Sequence, residues 1–173
     1  MTKIKVKVKG TAPLLLHKYV GETKTKAKQK VYIPEEEAEK VTYRNKKGKI
    51  YIPSTHFKGA MIKAGVDFKY EGRKTYKEYI KAGITFQETE IILTPQEYEI
   101  HSCPVVIGRS RIVRSRPMFT DWSCEFIFEI IDDELARNPG IIKEILEKAG
   151  KYKGVGDYRP EFGRFEVVEF KKL

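Results

Sequence analysis

The sequence predicts an α+β protein with a ferredoxin-like, or RRM-like, antiparallel sheet covered by two helices. Residues 3–9 and 122–128 alternate apolar and polar side chains, which is the period of strands with one face in a core. Residues 56–65 and 141–149 space their apolar side chains at helical intervals. Together with two further strands, these segments give the order strand, helix, strand, strand, helix, strand, which defines that fold.

The chain begins with the strand over residues 3–9, whose outward positions are all lysine. Residues 20–31 are basic without apolar periodicity, which predicts a mobile lysine-rich loop. Pro34 and three following glutamates favour a short helix to about Tyr43, because the helix dipole stabilises acids in the first turn. These segments form most of an insertion that we predict at about residues 18–50.

A brief strand over 49–52 leads to the helix of residues 56–65. Ser54 or Thr55 can provide its N-cap, because a hydroxyl oxygen accepts from the free backbone N–H groups of a first turn. Gly65 is placed to end this helix.

Residues 75–82 indicate another short helix, closed by Gly83. A strand pattern then covers 85–93, and extended segments cover 98–107 and 111–130. The last two segments predict a long basic β-hairpin or a meander.

The last helix has Asn138 as its N-cap and Pro139 as its first residue. Its apolar stripe runs over residues 141–149, and Gly150 is expected to stop it. Residues 164–170 are the closing strand.

Size and charge limit the possible functions. A chain of 173 residues suits one domain over 1–173, and its 34 basic against 24 acidic residues give a formal charge of +10. This excess attracts polyanions, so nucleic acid is the first candidate partner, whereas a membrane is disfavoured because no apolar run has spanning length. The first residues, MTKIKVKVKG, lack the apolar stretch of a signal peptide, which predicts a cytoplasmic protein. Abundant Lys, Glu, Ile and Tyr hint at a thermophilic source.

Four arginines crowd the segment before the strand of residues 122–128. A guanidinium donates paired hydrogen bonds to phosphate oxygens and stacks on bases, so these side chains are candidate nucleic-acid contacts. Two of the arginines have odd residue numbers and two have even ones, and successive residues of a strand point to opposite faces. A regular strand therefore cannot present all four on one face, and we expect a bulge or turn. The alternative is a solvated basic hairpin. The residues are Arg109, Arg111, Arg114 and Arg116.

A second candidate surface is the stretch GKYKGVGDYRPEFGRF at residues 150–165. Glycines let a backbone approach a phosphate, cations neutralise it, and aromatic rings offer faces to bases. The alternative is an ordinary connection whose rings pack in the core. The candidate contacts here are Tyr152, Lys153, Tyr158, Arg159 and Arg164, joined by Lys24, Lys26 and Lys28 of the lysine-rich loop.

The chain resembles the RAMP superfamily of CRISPR-associated RNA-binding proteins, and still more a group of small phage-encoded RAMP-like proteins. The matching stretches are GTAPLLLHKY at 10–19, IYIPSTHFKGAMIKA at 50–64, GRSRIVRSRPMFTDWSCEF at 108–126 and GVGDYRPEFGRFEV at 154–167. The resemblance implies binding of a single strand, with single-stranded DNA and a role in recombination or replication expected for the phage group. RAMP backbone proteins assemble side by side along RNA, so the resemblance implies self-association along the strand as a filament. For a phage-encoded protein it implies a location in the host cytoplasm.

The favoured interpretation is therefore a non-enzymatic binder of single-stranded DNA, or of RNA, without cofactor or metal. One alternative is a metal-independent RAMP-type endoribonuclease. His17 or His56 would serve as its acid or base, because a histidine titrates near neutral pH. Another alternative is a virion or assembly protein that docks acidic partners through its charge.

Overall fold

The computed structural model describes residues 1–21 and 31–173, which form two antiparallel sheets and five helices. Most of the lysine-rich loop expected at residues 20–31, with its candidate contacts Lys24, Lys26 and Lys28, lies outside these described residues. The strands are β1 (Thr2–Gly10), β2 (Leu14–Leu15), β3 (Tyr51–Pro53), β4 (Ile84–Phe86), β5 (Glu90–Thr94), β6 (Glu99–Ile107), β7 (Ser110–Phe119), β8 (Ser123–Ile130) and β9 (Phe165–Lys172). The helices are α1 (Pro34–Lys40), α2 (Ser54–Gly65), α3 (Tyr76–Gly83), α4 (Asp133–Arg137) and α5 (Pro139–Tyr152).

The main sheet has the ferredoxin-like strand order. Its strands lie in the order β3-β5-β8-β1-β9. Strands β5 and β4 pair with the same edge of β8, β5 with its first residues and β4 with its last. The four strands of the basic ferredoxin-like unit are, in chain order, β1, β5, β8 and β9. Numbered 1 to 4 in that order, they lie in the sheet as 2-3-1-4, with β8 and β1 at the centre. The sequence-based prediction of an α+β ferredoxin-like fold is confirmed.

Helices α2 and α5 cover one face of this sheet and enclose the core. The alternation that predicted β8 places Trp122, Cys124, Phe126 and Phe128 inward, each almost fully buried. Phe57 of α2 packs against Phe126 with ring centroids 4.7 Å apart. Burial of large rings and aliphatic side chains is the main source of stability here, and it holds both helices on the sheet.

The expected strand over 85–93 is two short strands. Both β4 and β5 pair with β8, but residues 87–89 between them leave the ladder. The backbone N–H of Gln87 still donates to the carbonyl of Ile127, and the Glu88 carboxylate accepts from the N–H of Ile127. A side chain therefore replaces part of the backbone pairing, which an apolar pattern does not reveal.

Two expectations about helix ends are wrong. Helix α2 begins at Ser54 with Pro53 as its N-cap, and no side chain caps it. Gly150 does not stop α5, which continues to Tyr152. A Cβ on Gly150 would lie 2.2 Å from the carbonyl oxygen of Phe165, so this glycine permits close packing of helix and strand.

Candidate nucleic-acid interface

Strands β6 and β7 form a long two-stranded hairpin, here called the arm (residues 99–119). Its register is regular from Glu99 opposite Met118 to Ile107 opposite Ser110, with Gly108 and Arg109 in the turn. Gly108 has a φ of 62°, as a two-residue hairpin turn requires. The arm contains one acidic residue, at its base, and four arginines.

The regular register gives the arginines different positions. Successive residues of a strand point to opposite faces, so Arg111 lies on one face while Arg114 and Arg116 lie on the other. Arg109 lies in the turn. The expected turn is therefore present, but the arm contains no bulge and the four guanidinium groups do not share one face.

Arg116 is buried inside the protein. Its Nε donates to His17 Nδ1 at 3.3 Å and forms an ion pair with Asp157 Oδ2, at 2.8 Å. Its side chain is only 10% exposed. The expectation that Arg116 presents its charge on the surface is not met, because Asp157 neutralises it within the fold.

Arg114 is half-buried against α1. Its Nη1 donates to Glu37 Oε1 at 3.0 Å. Tyr98 OH also donates to Glu39 Oε2, so two carboxylates of one short helix hold the base of the arm. Since solvent reaches more than a third of the Arg114 side chain, a phosphate can compete with Glu37 for it.

Arg109 and Arg111 are exposed. Neither forms an ion pair with any acid in the described ranges, which exclude residues 22–30. Of the four arginines, these two keep their full charge for a partner.

Glycines of the glycine-rich loop (residues 153–164) are required by the loop's own packing. Gly156 has a φ of 79°, and a Cβ there would lie 2.3 Å from the carbonyl oxygen of Leu15. Gly163 has a φ of 80°, and its Cβ would lie 1.7 Å from the carbonyl oxygen of Val155. The N–H of Asp157 donates to Leu15 and that of Gly163 to Pro13, so the loop is fastened to the chain beside β2. These glycines need no ligand to explain them.

The exposed side of this loop carries rings that lead onto the arm. Tyr158 is 61% exposed, and its ring lies 5.6 Å from that of Phe162. Phe162 in turn packs edge-on against His101 of β6, with centroids 5.2 Å apart. Exposed Arg159 follows Tyr158 directly. A cation and a ring face therefore stand together where the loop meets the arm.

The other predicted contacts lie elsewhere. Lys153 lies 4.0 Å from Asp67, which follows the C-terminal end of α2. Arg159 is close to the other end of this helix, because its charge helps to lower the pKa of His56 in the first turn of α2. A helix of twelve residues separates these points by about 17 Å. Tyr152 is exposed beside Lys151, and Arg164 is exposed beside β9. Tyr152, Lys153 and Arg164 are thus not grouped with the arm.

Both candidate catalytic histidines lie near Asp157. Burial is the main cause that lowers the pKa of His17, with Arg116 and Arg114 adding to it and Asp157 opposing it. Burial also lowers the pKa of His56, helped by Arg159 and opposed by Asp157. The ring of Tyr43 packs edge-on against that of His56 at 5.8 Å, and burial raises the pKa of Tyr43. The cluster therefore combines two neutral imidazoles with a protonated phenol.

The open face of the main sheet is electrically balanced. Along β1, Lys3 and Lys7 lie opposite glutamates of β8, and Lys5 and Lys7 both pair with Glu125, at 3.1 and 3.6 Å. Glu166 of β9 lies opposite Lys9. The outward positions of β1 and β8 carry no aromatic ring. The centre of this face, on β1 and β8, therefore has little uncompensated charge and lacks the stacking surface that a single strand uses on sheets of this type.

Sequence reasoning identified the loop's cations but missed Asp157 and Phe162 as the groups that fix the loop to the arm.

Within residues 1–21 and 31–173, no group of His, Cys, Asp and Glu could hold a metal ion. None of the helices in these ranges has the length and apolar character needed to cross a membrane.

No family model matches the chain, and no curated protein matches it. Among solved structures, it is similar to a chain in the cryo-EM structure of the Type III-B Cmr-beta bound to cognate target RNA, with a TM-score of 0.67 and 8% sequence identity. The similarity covers 99% of this chain and 60% of that chain. At this identity the similarity establishes the shared fold.

Proposed function

We propose that this protein binds single-stranded nucleic acid along the paired strands of the arm, called its shaft (residues 99–107 and 110–119), and along the exposed side of the glycine-rich loop, without cleaving it. The observation that carries the proposal is the exposed pair Tyr158 and Arg159 beside an arm that has no acid beyond Glu99. Cations that track a backbone and rings that stack on bases are the two parts of a single-strand site. The nearness of exposed Arg159 and exposed Tyr158 to the arm supports the proposal.

Each side chain has a distinct role in this proposal. Arg159 neutralises a phosphate on the face of the arm that meets the loop, which is also the face of Arg114. Arg111 is exposed on the opposite face and neutralises a phosphate where the strand passes over the edge of the arm. Arg114 adds a third contact when a phosphate displaces Glu37. Tyr158 stacks on a base, which is worth about 1 to 3 kcal/mol. Arg116 acts indirectly, because its ion pair with Asp157 holds the loop beside the arm.

Two considerations bear on the choice of strand. The structural neighbour is a chain of a Cmr-beta structure that is bound to cognate target RNA, which supports RNA as a ligand, whereas the phage-protein resemblance favours single-stranded DNA in replication or recombination. The proposed contacts are made to phosphate groups and to base faces, which single-stranded DNA and single-stranded RNA both have. Discrimination between them depends on contacts to the 2′-hydroxyl.

The direct test is fluorescence anisotropy with labelled single-stranded DNA, single-stranded RNA and duplex DNA of equal length across a salt series. We expect both single strands to bind more tightly than the duplex, with affinity that falls steeply as salt rises. Electrophoresis of the recovered strands should show them intact. Equal, weak binding to all three would contradict the proposal and favour an arm that docks acidic proteins.

A metal-independent ribonuclease is the second candidate. The specific observation in its favour is that the charge of Asp157 acts on His17, His56 and Tyr43, and that Arg159 lies near His56. A neutral imidazole can accept the proton of a 2′-hydroxyl, and a second acidic group can protonate the leaving oxygen. If RNA is cleaved without added metal, His56→Asn should abolish cleavage while leaving anisotropy unchanged. Cleavage that survives in both His56→Asn and His17→Asn would exclude this cluster as its source.

A further inference from the structure

A pocket lies at the end of the main sheet that is far from the arm. It has a volume of about 450 Å³ and lies between α3 and the segment that joins β8 to α4. Strand β8 separates it from the base of the arm, and the eight residues of this strand span about 26 Å. A volume of this size suits a small organic molecule. The lining residues are Glu78, Tyr79, Ala82, Gly83, Ile131 and Asp132.

One wall of this pocket is apolar and held in place by ring contacts. Ile131 is 45% exposed, so its aliphatic side chain remains open to solvent. The ring of Tyr79 stacks on that of Tyr70 with centroids 3.8 Å apart, and Tyr70 packs edge-on against Tyr76 at 5.2 Å. An aliphatic chain gains free energy by burial against such a wall, and an aromatic ring attracts a cation.

The charged groups that line the pocket are acidic. Glu78 and Asp132 supply carboxylates, and no lysine or arginine lines the pocket in the described part of the chain. Gly83 is the last residue of α3, so the negative end of this helix dipole adds to them. Asp132 forms no ion pair within the described ranges, and the exposed pair of Glu78 with Lys77 at 3.8 Å contributes little. The pocket therefore attracts cations, although the whole chain carries a formal charge of +10.

The two carboxylates are separated along α3. Asp132 lies against Gly83, where a Cβ added to the glycine would lie 2.9 Å from the Cβ of Asp132. Glu78 precedes Gly83 by five residues, which is about 7.5 Å along a helix axis. One ammonium group, as on a lysine side chain, contacts one of these carboxylates and leaves the other unpaired. Two ammonium groups joined by a short alkyl chain match both carboxylates, and the alkyl chain matches the apolar wall.

We propose that this pocket binds a linear aliphatic polyamine. One ammonium group pairs with Glu78 in place of Lys77, and a second pairs with Asp132 at the C-terminal end of α3. The methylene chain between them covers Ile131 and the ring of Tyr79. A hydrated divalent metal ion fits this pocket less well, because it takes oxygen ligands and gains nothing from an apolar wall.

The polyamine site is independent of the proposed strand-binding site. None of its lining residues belongs to the arm or to the glycine-rich loop. The screening length at about 0.15 M salt is about 8 Å, and the length of β8 exceeds it, so the arginines of the arm do not repel the ligand from the pocket. The two proposals fail separately, because polyamine binding is measured without a strand and strand binding is measured by its salt slope.

A titration of the whole chain with putrescine, followed by NMR spectra of the backbone amides, tests the proposal. The protein is first treated with nuclease, because nucleic acid itself attracts polyamines. We expect saturable shifts around Glu78, Gly83 and Asp132 and none on the arm. Butylamine has the same carbon chain with one ammonium group and should bind at least about tenfold more weakly. Magnesium chloride at equal ionic strength should not displace putrescine.

Two substitutions remove the two carboxylates one at a time. Glu78→Gln and Asp132→Asn keep the shapes of the side chains, and asparagine can still accept from the N–H of Leu135 as the N-cap of α4. Each variant should bind putrescine about tenfold or more weakly and lose most of its preference over butylamine. Glu144→Gln removes an exposed carboxylate of α5 that does not line the pocket, and it should bind putrescine like the wild type. All three variants should keep the wild-type melting temperature.

Four results would overturn the proposal. Shifts that do not saturate, or an equal loss in Glu144→Gln, would show that putrescine acts only as a counterion. Equal affinities for putrescine and butylamine would show a site for one cation, such as a lysine side chain of another protein. Displacement by magnesium would show an acidic patch in which the apolar wall has no role. Wild-type affinity in both Glu78→Gln and Asp132→Asn would place the ligand outside this pocket.

Discussion

Arg116 on β7 forms an ion pair with Asp157 in the glycine-rich loop at 2.8 Å, so an arginine from the most basic stretch of the chain serves an internal contact. The same guanidinium lies 3.3 Å from Nδ1 of His17. Three segments distant in sequence therefore meet at one ion pair. The candidate site depends on this contact, because it sets Tyr158 and Arg159 beside the arm.

Arg116→Ala should destabilise the protein by up to about 3 kcal/mol, because it empties the buried site of the Arg116 side chain and removes its contacts with His17 and the half-exposed Asp157. Arg109→Ala removes the same side chain from the exposed turn and should change the free energy of unfolding by less than about 0.5 kcal/mol. Urea denaturation of both variants measures the difference. Equal effects would show that Arg116 is solvated like Arg109.

Gly163→Ala should be strongly destabilising, by more than about 2 kcal/mol. Its φ of 80° and the approach of the Val155 carbonyl leave no room for a Cβ. Gly59→Ala is the matched control, since Gly59 lies within α2 with no atom near the added methyl group. The control should be stabilised by about 0.8 to 1 kcal/mol, the helix preference of alanine over glycine. A loss in Gly59→Ala as large as in Gly163→Ala would contradict this account of the loop.

Glu37→Gln should tighten binding to a single strand. The substitution keeps the shape of the side chain but removes the charge that pairs with Arg114 at 3.0 Å. The released guanidinium can then contact a phosphate and raise the salt slope of binding by about 0.7. Anisotropy titrations with the variant and with Glu36→Gln, an exposed neighbour on α1, measure this effect. The same gain in both variants would reflect net charge alone.

The protein should lose stability as the pH falls from 7 to 5.5, and His56 should contribute to the loss. Burial holds the pKa of His56 below its usual value of about 6.5, so the unfolded chain binds the proton more readily. The contribution is complete above about pH 6.5 and is lost as the pH falls through the lowered pKa. Denaturation of wild-type protein and His56→Asn at both pH values should show a smaller loss in the variant. If the NMR resonance of the His56 imidazole titrates with a pKa at or above about 6.5, His56 does not contribute to the loss of stability in this way.

The sequence was sufficient for the fold because local patterns determine it. The alternation of Trp122 to Phe128 and the stripe of residues 141–149 each report the face that a core must cover. The order of such elements then specifies the strand order β5-β8-β1-β9. Helix ends were less accurate, because Gly150 and Ser54 depend on packing against Phe165 and on backbone pairing with Thr89.

The site was only partly accessible from the sequence. A run of arginines indicates affinity for anions, but whether a given guanidinium is free depends on acids that the fold brings to it. Asp157 and Glu37 are distant in sequence from Arg116 and Arg114, and no local pattern connects them. The glycines of the loop were a similar case, because the Leu15 and Val155 carbonyls explain them only once the backbone is folded. Assignment of Tyr152, Lys153, Tyr158, Arg159 and Arg164 to nucleic-acid contact stays a prediction.

The salt dependence of strand binding in two charge-matched double variants tests the central claim most directly. Arg111→Ala/Arg159→Ala and Lys5→Ala/Lys7→Ala each remove two exposed or half-exposed cations, from the proposed site and from the open sheet face respectively. We expect the first pair to lower the slope of log K against log salt by about 1.4, at about 0.7 per phosphate contact, and the second pair to leave it unchanged. An unchanged slope in the first variant, or a loss only in the second, would contradict the claim that the arm and the glycine-rich loop hold the strand.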